Sequence, residues 1–402
     1  MSVVSPRTNR ILIAAAIGLM IAVWVSCMTE TNPSAAITRG DFPAFYTMAV
    51  IAHSGEGHRL YDLEFQREVQ NAAWPSLGGT VLPAAYPAFL AFVLEQLATL
   101  APSTARIVWI SCMLVCVALG VRLLARAMPS LCGLWWQPFV GALLFSPLFL
   151  GIVGGQIVGL SVLLYAALIA LHTREGSRNE LVIGAVTGVW MVKPHYALAV
   201  VAMLVFQRRW IAVSGWLMVS ALLWILGAQV AGMNWIRAWL AFVQQFSQID
   251  LATNAYQMTG IVPALYSTLV VGGWDSASCL HVWESLVVMC SLLVPVTLLV
   301  LVRRSGVSAE GRMRCLLMIG PLLLCCAPAV NFYDLSLGLV PLIALFRPRE
   351  RRDILLAALV LVTSQVYLLF KGEGTPGVAF LCALAMAVLV NKGARRLGSL
   401  VH

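Results

Sequence analysis

Long apolar runs follow one another along almost the whole chain, separated by short polar joints. The runs cover residues 11–28, 86–100, 103–126, 135–153, 156–172, 181–192, 195–206, 210–231, 258–271, 277–302, 315–330, 335–346, 354–370 and 377–390. Sequence that is apolar on every side can satisfy its backbone in lipid only by forming helices, and about twenty such residues span the hydrocarbon. The pattern therefore predicts an all-α, polytopic integral membrane protein. The basic residues gather in the joints: Arg7 and Arg10; Arg122 and Arg126; Arg174 and Arg178; Arg208 and Arg209; then 303–314, 347–352 and 392–396. Placing these on the cytoplasmic side requires 86–100, which carries Glu95 and Gln96, to dip in and return. The count is then about twelve crossings with both ends cytoplasmic. The small residues Ser34, Ala35 and Ala36 would allow a signal peptide over 11–28, but the length of that run and the many runs after it favour an uncleaved first helix. Runs 181–192 and 195–206 are short for a crossing, which puts Lys193-Pro194-His195 below the outer surface. A lysine and a histidine at membrane depth are expensive to hold there.

The longest polar interruption is residues 29–85, the first external loop. Its first half, GDFPAFYTMAVIAHSGEGHRLYD from Gly40 to Asp62, carries acidic, aromatic and histidine side chains. Two short helices are predicted, over 42–52 and 63–74, the second capped by Asp62, with Gly78, Gly79 and Pro83 closing the loop. Asp41 suits either a helix cap ahead of Pro43 or a carboxylate held for chemistry, and the two roles are compatible. Residues 234–249 set Trp235, Trp239, Phe242 and Phe246 at helical spacing, as an interfacial helix would.

Composition excludes a soluble protein: 60% hydrophobic and 11% charged residues leave too little polar surface to cover a core. No stretch is long and polar enough for a separate soluble domain, so 1–402 is one membrane domain. The net charge of +9 lies in the joints and forms no nucleic-acid-binding patch. The ten cysteines show no CxxC or Cys/His spacing, so neither a disulfide framework nor a metal nor another cofactor is expected.

The same topology places four polar interruptions on the outer side: Asp41, Gly154-Gly155-Gln156, Lys193-Pro194-His195 and Asn331-Phe332-Tyr333-Asp334. Each has an ordinary explanation, since Gln156 and Asp334 could cap helices, His195 could hydrogen-bond in the core and Tyr333 could join an aromatic belt. Their convergence on one face favours a site. A transporter or flippase would also use buried Lys193, His195 and Asp334, as a substrate or proton path. Against that stands the lack of an internal repeat.

The ordered set GDFPAFY, GEGHRLYD, LPAAYPAFLAF, GGQIVGLSVLL, VKPHYAL and APAVNFYDLSLGLVPL resembles glycosyltransferase family 87, along nearly the whole chain. The resemblance implies a GT-C-type fold and transfer of a sugar from a polyprenyl-phosphate donor to a lipid or glycan acceptor at the plasma (inner) membrane. Asp41 matches the family's catalytic loop aspartate. The segments with Gln156, Lys193, Tyr333 and Asp334 match those that line its cavity. His195 joins Lys193 as a candidate for the departing phosphate, and Tyr46, Tyr61 and Tyr86 are candidates to hold sugar or lipid. The family includes mannosyltransferases with Trp and His where this chain has Asn331 and Tyr333, so the resemblance leaves the sugar open. A ligase that moves whole lipid-linked glycans would share this chemistry and differ in donor size.

Overall fold

Among the described residues, helix forms over most of the apolar runs, and its interruptions build the site. A computed structural model describes Gly18 and residues 40–127, 136–174, 176–254, 258–306, 308–327, 330–345, 351–369 and 374–397. The expected first crossing, with Arg7 and Arg10, lies outside the described residues. The first half of the described chain comprises α1 (Phe42–His53), α2 (Leu63–Ala73), α3 (Ala88–Leu94), α4 (Pro102–Ala127), α5 (Trp136–Leu143), α6 (Ser146–Val153), α7 (Val158–His172), α8 (Ser177–Val189) and α9 (Pro194–Phe206). Then come α10 (Trp210–Ala231), α11 (Trp235–Asn254), α12 (Ile261–Val271), α13 (Ser276–Ser305), α14 (Ala309–Cys326), α15 (Ser336–Leu345), α16 (Arg351–Leu369) and α17 (Thr375–Leu397). Among the described residues four segments are long and apolar enough to cross a membrane unaided: α4, α10, Ser278–Ser305 of α13 and Thr375–Arg395 of α17. Other apolar helices are shorter, among them α7, α9 and α12.

In the loop before α3, α2 starts as predicted. The Asp62 side chain accepts from the backbone N–H groups of Glu64 and Phe65 at 3.0 and 3.1 Å. These bonds, that from Phe65 first, hold its carboxyl below the usual range. Gln66 and Gln70 are buried and fasten the rest of the loop, Gln66 to Leu60 and Ala84 and Gln70 to both backbone groups of Leu82. Helix α11 lies against this loop: Trp239 Nε1 donates to the Ala85 carbonyl at 3.1 Å, and Phe242 meets the Tyr61 ring at 5.7 Å.

Three features depart from the simple run pattern. Residues 136–153 do not form one helix, because Pro147 cannot continue α5 and the chain breaks ahead of it, where Phe145 is extended and α6 begins afresh. The run 86–100 becomes α3 followed by a 3₁₀ segment, Glu95–Thr99, too short to cross and return as two full spans. The third is a short antiparallel strand pair, β1 (Met258–Thr259) with β2 (Val330–Asn331), in register Met258↔Asn331 and Thr259↔Val330. No alternating pattern announces strands this short. Their pairing ties the entry to α12 to the segment carrying Tyr333 and Asp334.

Helices pack closely where small residues remove side-chain bulk. A Cβ on Gly184 of α8 would lie 1.9 Å from the Ala212 carbonyl oxygen of α10, and one on Gly159 of α7 would lie 2.4 Å from that of Met113 in α4. Such contacts pin the helices in depth and so set which joints meet. At one end, Arg209 forms a two-pronged ion pair with Glu180, at 2.7 and 2.8 Å, and also reaches His172. The joints 154–156 and 193–195 lie at the opposite ends of α7 and α9, and there the polar cluster forms.

Candidate functional site

The Gly154-Gly155-Gln156 turn is the hub of that cluster. Helix α6 ends in a Schellman motif: Gly155 N–H donates to Ile152 at 3.0 Å and Gln156 N–H to Gly151 at 2.7 Å. Gly155 holds φ +77°, which glycine adopts without strain. The successive carbonyls of the turn are taken up by different elements. Val153 accepts from Arg106 at 2.9 Å, Gly154 from the Phe42 N–H at 3.3 Å, and Gly155 from Trp109 Nε1 at 2.7 Å. The start of α1 is thus stapled to the turn, with Asp41 just before the staple.

Closeness is enforced by missing side chains. A Cβ on Gly40 would lie 2.2 Å from the Gly154 carbonyl oxygen, and one on Gly155 would lie 2.4 Å from Phe42 Cβ. Gly155→Ala is therefore expected to push the Asp41 segment off the turn and abolish most turnover. Gly55→Ala has the same φ of +77° but nothing within 4 Å, and should keep nearly full turnover. Assaying the two purified variants side by side separates packing at the turn from backbone strain, and equal losses would remove the staple from the argument.

Asp41 sits at the cap position of α1 but makes no capping hydrogen bond, unlike Asp62. It is half-buried. The carboxylates of Asp41 and Asp334 both lie within electrostatic reach of the Tyr86 and Tyr333 hydroxyls. Tyr86 donates to Gln156 Oε1 at 3.0 Å, leaving Gln156 Nε2 buried with no hydrogen-bond partner. A buried amide with idle donors is a cost that a bound ligand can relieve.

The other half of the cluster is a buried ion pair. Lys193 Nζ meets Asp334 Oδ1 at 2.5 Å, with side-chain exposures of 7% and 5%. Asp334 Oδ2 accepts the Asn331 N–H at 3.1 Å, and the Asn331 side chain donates to the Tyr333 hydroxyl at 2.8 Å. Asn331 and Asp334 together form a capping box over the 3₁₀ turn Phe332–Leu335. The Lys193 ammonium also lies 5.4 Å from the centre of the Tyr196 ring and 5.1 Å from that of Tyr333. His195 packs edge-on against Tyr196 at 4.1 Å and feels the charges of both Lys193 and Asp334.

The structure thus gathers Asp41, Tyr86, Gln156, Lys193, His195, Tyr333 and Asp334 at one end of the helices. Tyr46 and Tyr61 are placed otherwise. The Tyr46 hydroxyl donates to the Leu100 carbonyl at 2.9 Å and its ring packs on Trp74. That of Tyr61 donates to the Tyr86 carbonyl at 3.0 Å, so Tyr61 orients Tyr86. Sequence reasoning passed over Arg106, Trp109 and Tyr196. Arg106 carried a signal, being a charge at the end of the apolar run 103–126 opposite to Arg122 and Arg126. Trp109 and Tyr196 carried none, because a buried aromatic in an apolar helix looks like core.

Together these features define a multi-pass helical membrane protein with a polar cluster where its helix ends meet. The chain belongs to glycosyltransferase family 87, whose sequence model matches residues 84–328, more than half of its length. It is accordingly a membrane glycosyltransferase. The matched stretch includes Tyr86, Gln156, Lys193 and His195, while Asp41, Tyr333 and Asp334 lie outside it. No curated protein and no solved structure matches the chain.

Proposed function

We propose that the protein moves a sugar, mannose or another hexose or pentose, from a polyprenyl-phosphate donor to a hydroxyl of a lipid or glycan acceptor, with inversion. The reaction takes place on the periplasmic or exterior face of the plasma (inner) membrane. The observation that carries the proposal is the half-buried Asp41 carboxylate, stapled to the glycine turn beside Tyr86, Gln156 and Tyr333. In the proposed step, Asp41 takes the acceptor's hydroxyl proton as that oxygen forms a bond to the anomeric carbon. The carbon–oxygen bond to the lipid phosphate breaks, and the phosphate leaves with the electron pair. A phosphate leaves readily without a general acid, so one carboxylate suffices. Lys193, His195 and the half-buried Arg106 are the groups that would stabilise the departing phosphate. Gln156 Nε2 has hydrogen-bond donors to offer a sugar oxygen.

A lipid donor is favoured on two grounds. Nucleotide sugars are made in the cytoplasm, so an outward-facing site needs a donor already carried across. A groove of about 360 Å³ lined by apolar residues, Phe145, Leu339, Leu342, Val360 and Leu389 among them, includes Leu339 of α15, five residues after Asp334 in the chain. Orientation follows from the basic joints, which assign the Arg209 end to the cytoplasm and give about twelve crossings. The chain works as one GT-C-type domain with 29–85 as its external loop. Purified protein in proteoliposomes, given a short-chain polyprenyl-phosphate sugar and an acceptor lipid, should release polyprenyl phosphate in step with glycosylated product. Turnover with a nucleotide sugar alone would overturn the donor class.

A further inference from the structure

A cleft of about 300 Å³ opens between α13, α14 and α17 and runs along α14 from Arg314 to Cys325. Three arginines from three helices line it: Arg304, Arg314 and Arg395. Arg314 lies twelve residues before Cys326, the last residue of α14, and so about 18 Å along the helix from the end that leads to Asn331.

Among the described residues no carboxylate offsets these charges: none lines the cleft, and none of the three arginines is paired with one. Arg314 Nε is sealed from solvent without an acceptor, and the guanidinium's other contact is a long one, 3.5 Å to Asn391 Oδ1. Elsewhere the fold neutralises such cations, Arg209 with Glu180 and Lys392 with Asp353. Three guanidiniums around one cleft repel one another unless an anion lies between them.

The walls of the cleft are apolar, with Leu301, Met318 and Leu322 among them. On α13, Leu292, Val296 and Val300 face outward. A small soluble anion would have no use for that strip, whereas an acyl chain would lie along it.

We propose that this cleft binds the head group of an anionic phospholipid from the leaflet on the basic side. The phosphodiester lies among Arg304, Arg314 and Arg395, and the acyl chains run along α13. Guanidinium forks match phosphate oxygens in pairs, and basic pockets between membrane helices suit such head groups. The lipid ties α13 to α14 and α17 and is not a reactant.

The full-length protein, purified in detergent, is titrated with phosphatidylglycerol, phosphatidylcholine and inorganic phosphate. Retained lipid is counted by native mass spectrometry and the unfolding temperature is followed. Phosphatidylglycerol is expected to be retained and to raise the unfolding temperature, and phosphatidylcholine to do neither. The variant Arg304→Gln/Arg314→Gln/Arg395→Gln should retain phosphatidylglycerol about 100-fold more weakly. Arg314→Lys, which keeps the charge, should hold most of the effect and guards against a trivial folding defect in the triple variant. Equal retention by the triple variant and the unmodified protein, or equal retention of phosphatidylcholine, overturns the proposal. So does protection by inorganic phosphate matching that of the lipid, which would mark a site for a soluble anion.

Discussion

Asp41→Asn is expected to leave the protein folded, inserted and able to bind donor, while turnover falls about 10²- to 10⁴-fold, the usual contribution of a positioned general base. The fold gives a reason to expect little structural damage. Asp41 occupies the cap position of α1 without capping it, and α1 is held instead by the Phe42 bond to Gly154 and by its buried face. Asp41→Ala should then be as inactive as Asp41→Asn and nearly as stable. Measuring kcat and donor Kd for both variants separates the alternatives. Substantial turnover by Asp41→Asn would move the base elsewhere, and Asp62 and Asp334 are poor replacements. Asp62 caps α2 on the exposed loop, and both oxygens of Asp334 are engaged.

Lys193→Met is expected to destabilise the protein by about 3–5 kcal/mol, the range for removing one partner of a buried ion pair. A lysine that only bound the donor phosphate would be replaceable with the protein still folded, its loss showing mainly in donor use, whereas the loss of a structural lysine would show in expression. The structure points to the second outcome, because Asp334 would be left charged, 5% exposed and without its cation. Adding Asp334→Asn should restore most of the stability, since no isolated charge then remains. If Lys193 also stabilises the departing phosphate, the double variant should fold yet turn over donor poorly. Thermal unfolding in detergent reads the first effect and donor turnover the second. A single variant as stable as the unmodified protein would deny the pair its structural role. A double variant with full turnover would take Lys193 out of the chemistry.

The sequence by itself determined the class of molecule. Runs of apolar residues in lipid admit little besides helix, and the external-loop helices were legible because their signals are local: Pro43 at the start of α1 and the Asp62 cap of α2. The Gly154-Gly155 pair likewise announced a helix stop. The polar joints could be named from sequence because each interrupts an apolar run, and their common side followed from alternation alone.

Only the tertiary structure decided what those joints do to one another. That Asp334 answers Lys193, 141 residues away, depends on how α6, α9 and the β1–β2 pair meet, and no local pattern encodes that meeting. Tyr46 and Tyr61 have the composition of binding residues, yet their hydroxyls are spent on backbone carbonyls that only folding brings near. Arg106 and Trp109 lie on α4 and become part of the site because their side chains donate to the Val153 and Gly155 carbonyls of the same turn that Gly40 and Gly155 let the start of α1 approach. Hydrophobic periodicity reports burial, a property of one residue and its surroundings. A site is a relation among distant residues, set by close packing of whole helices.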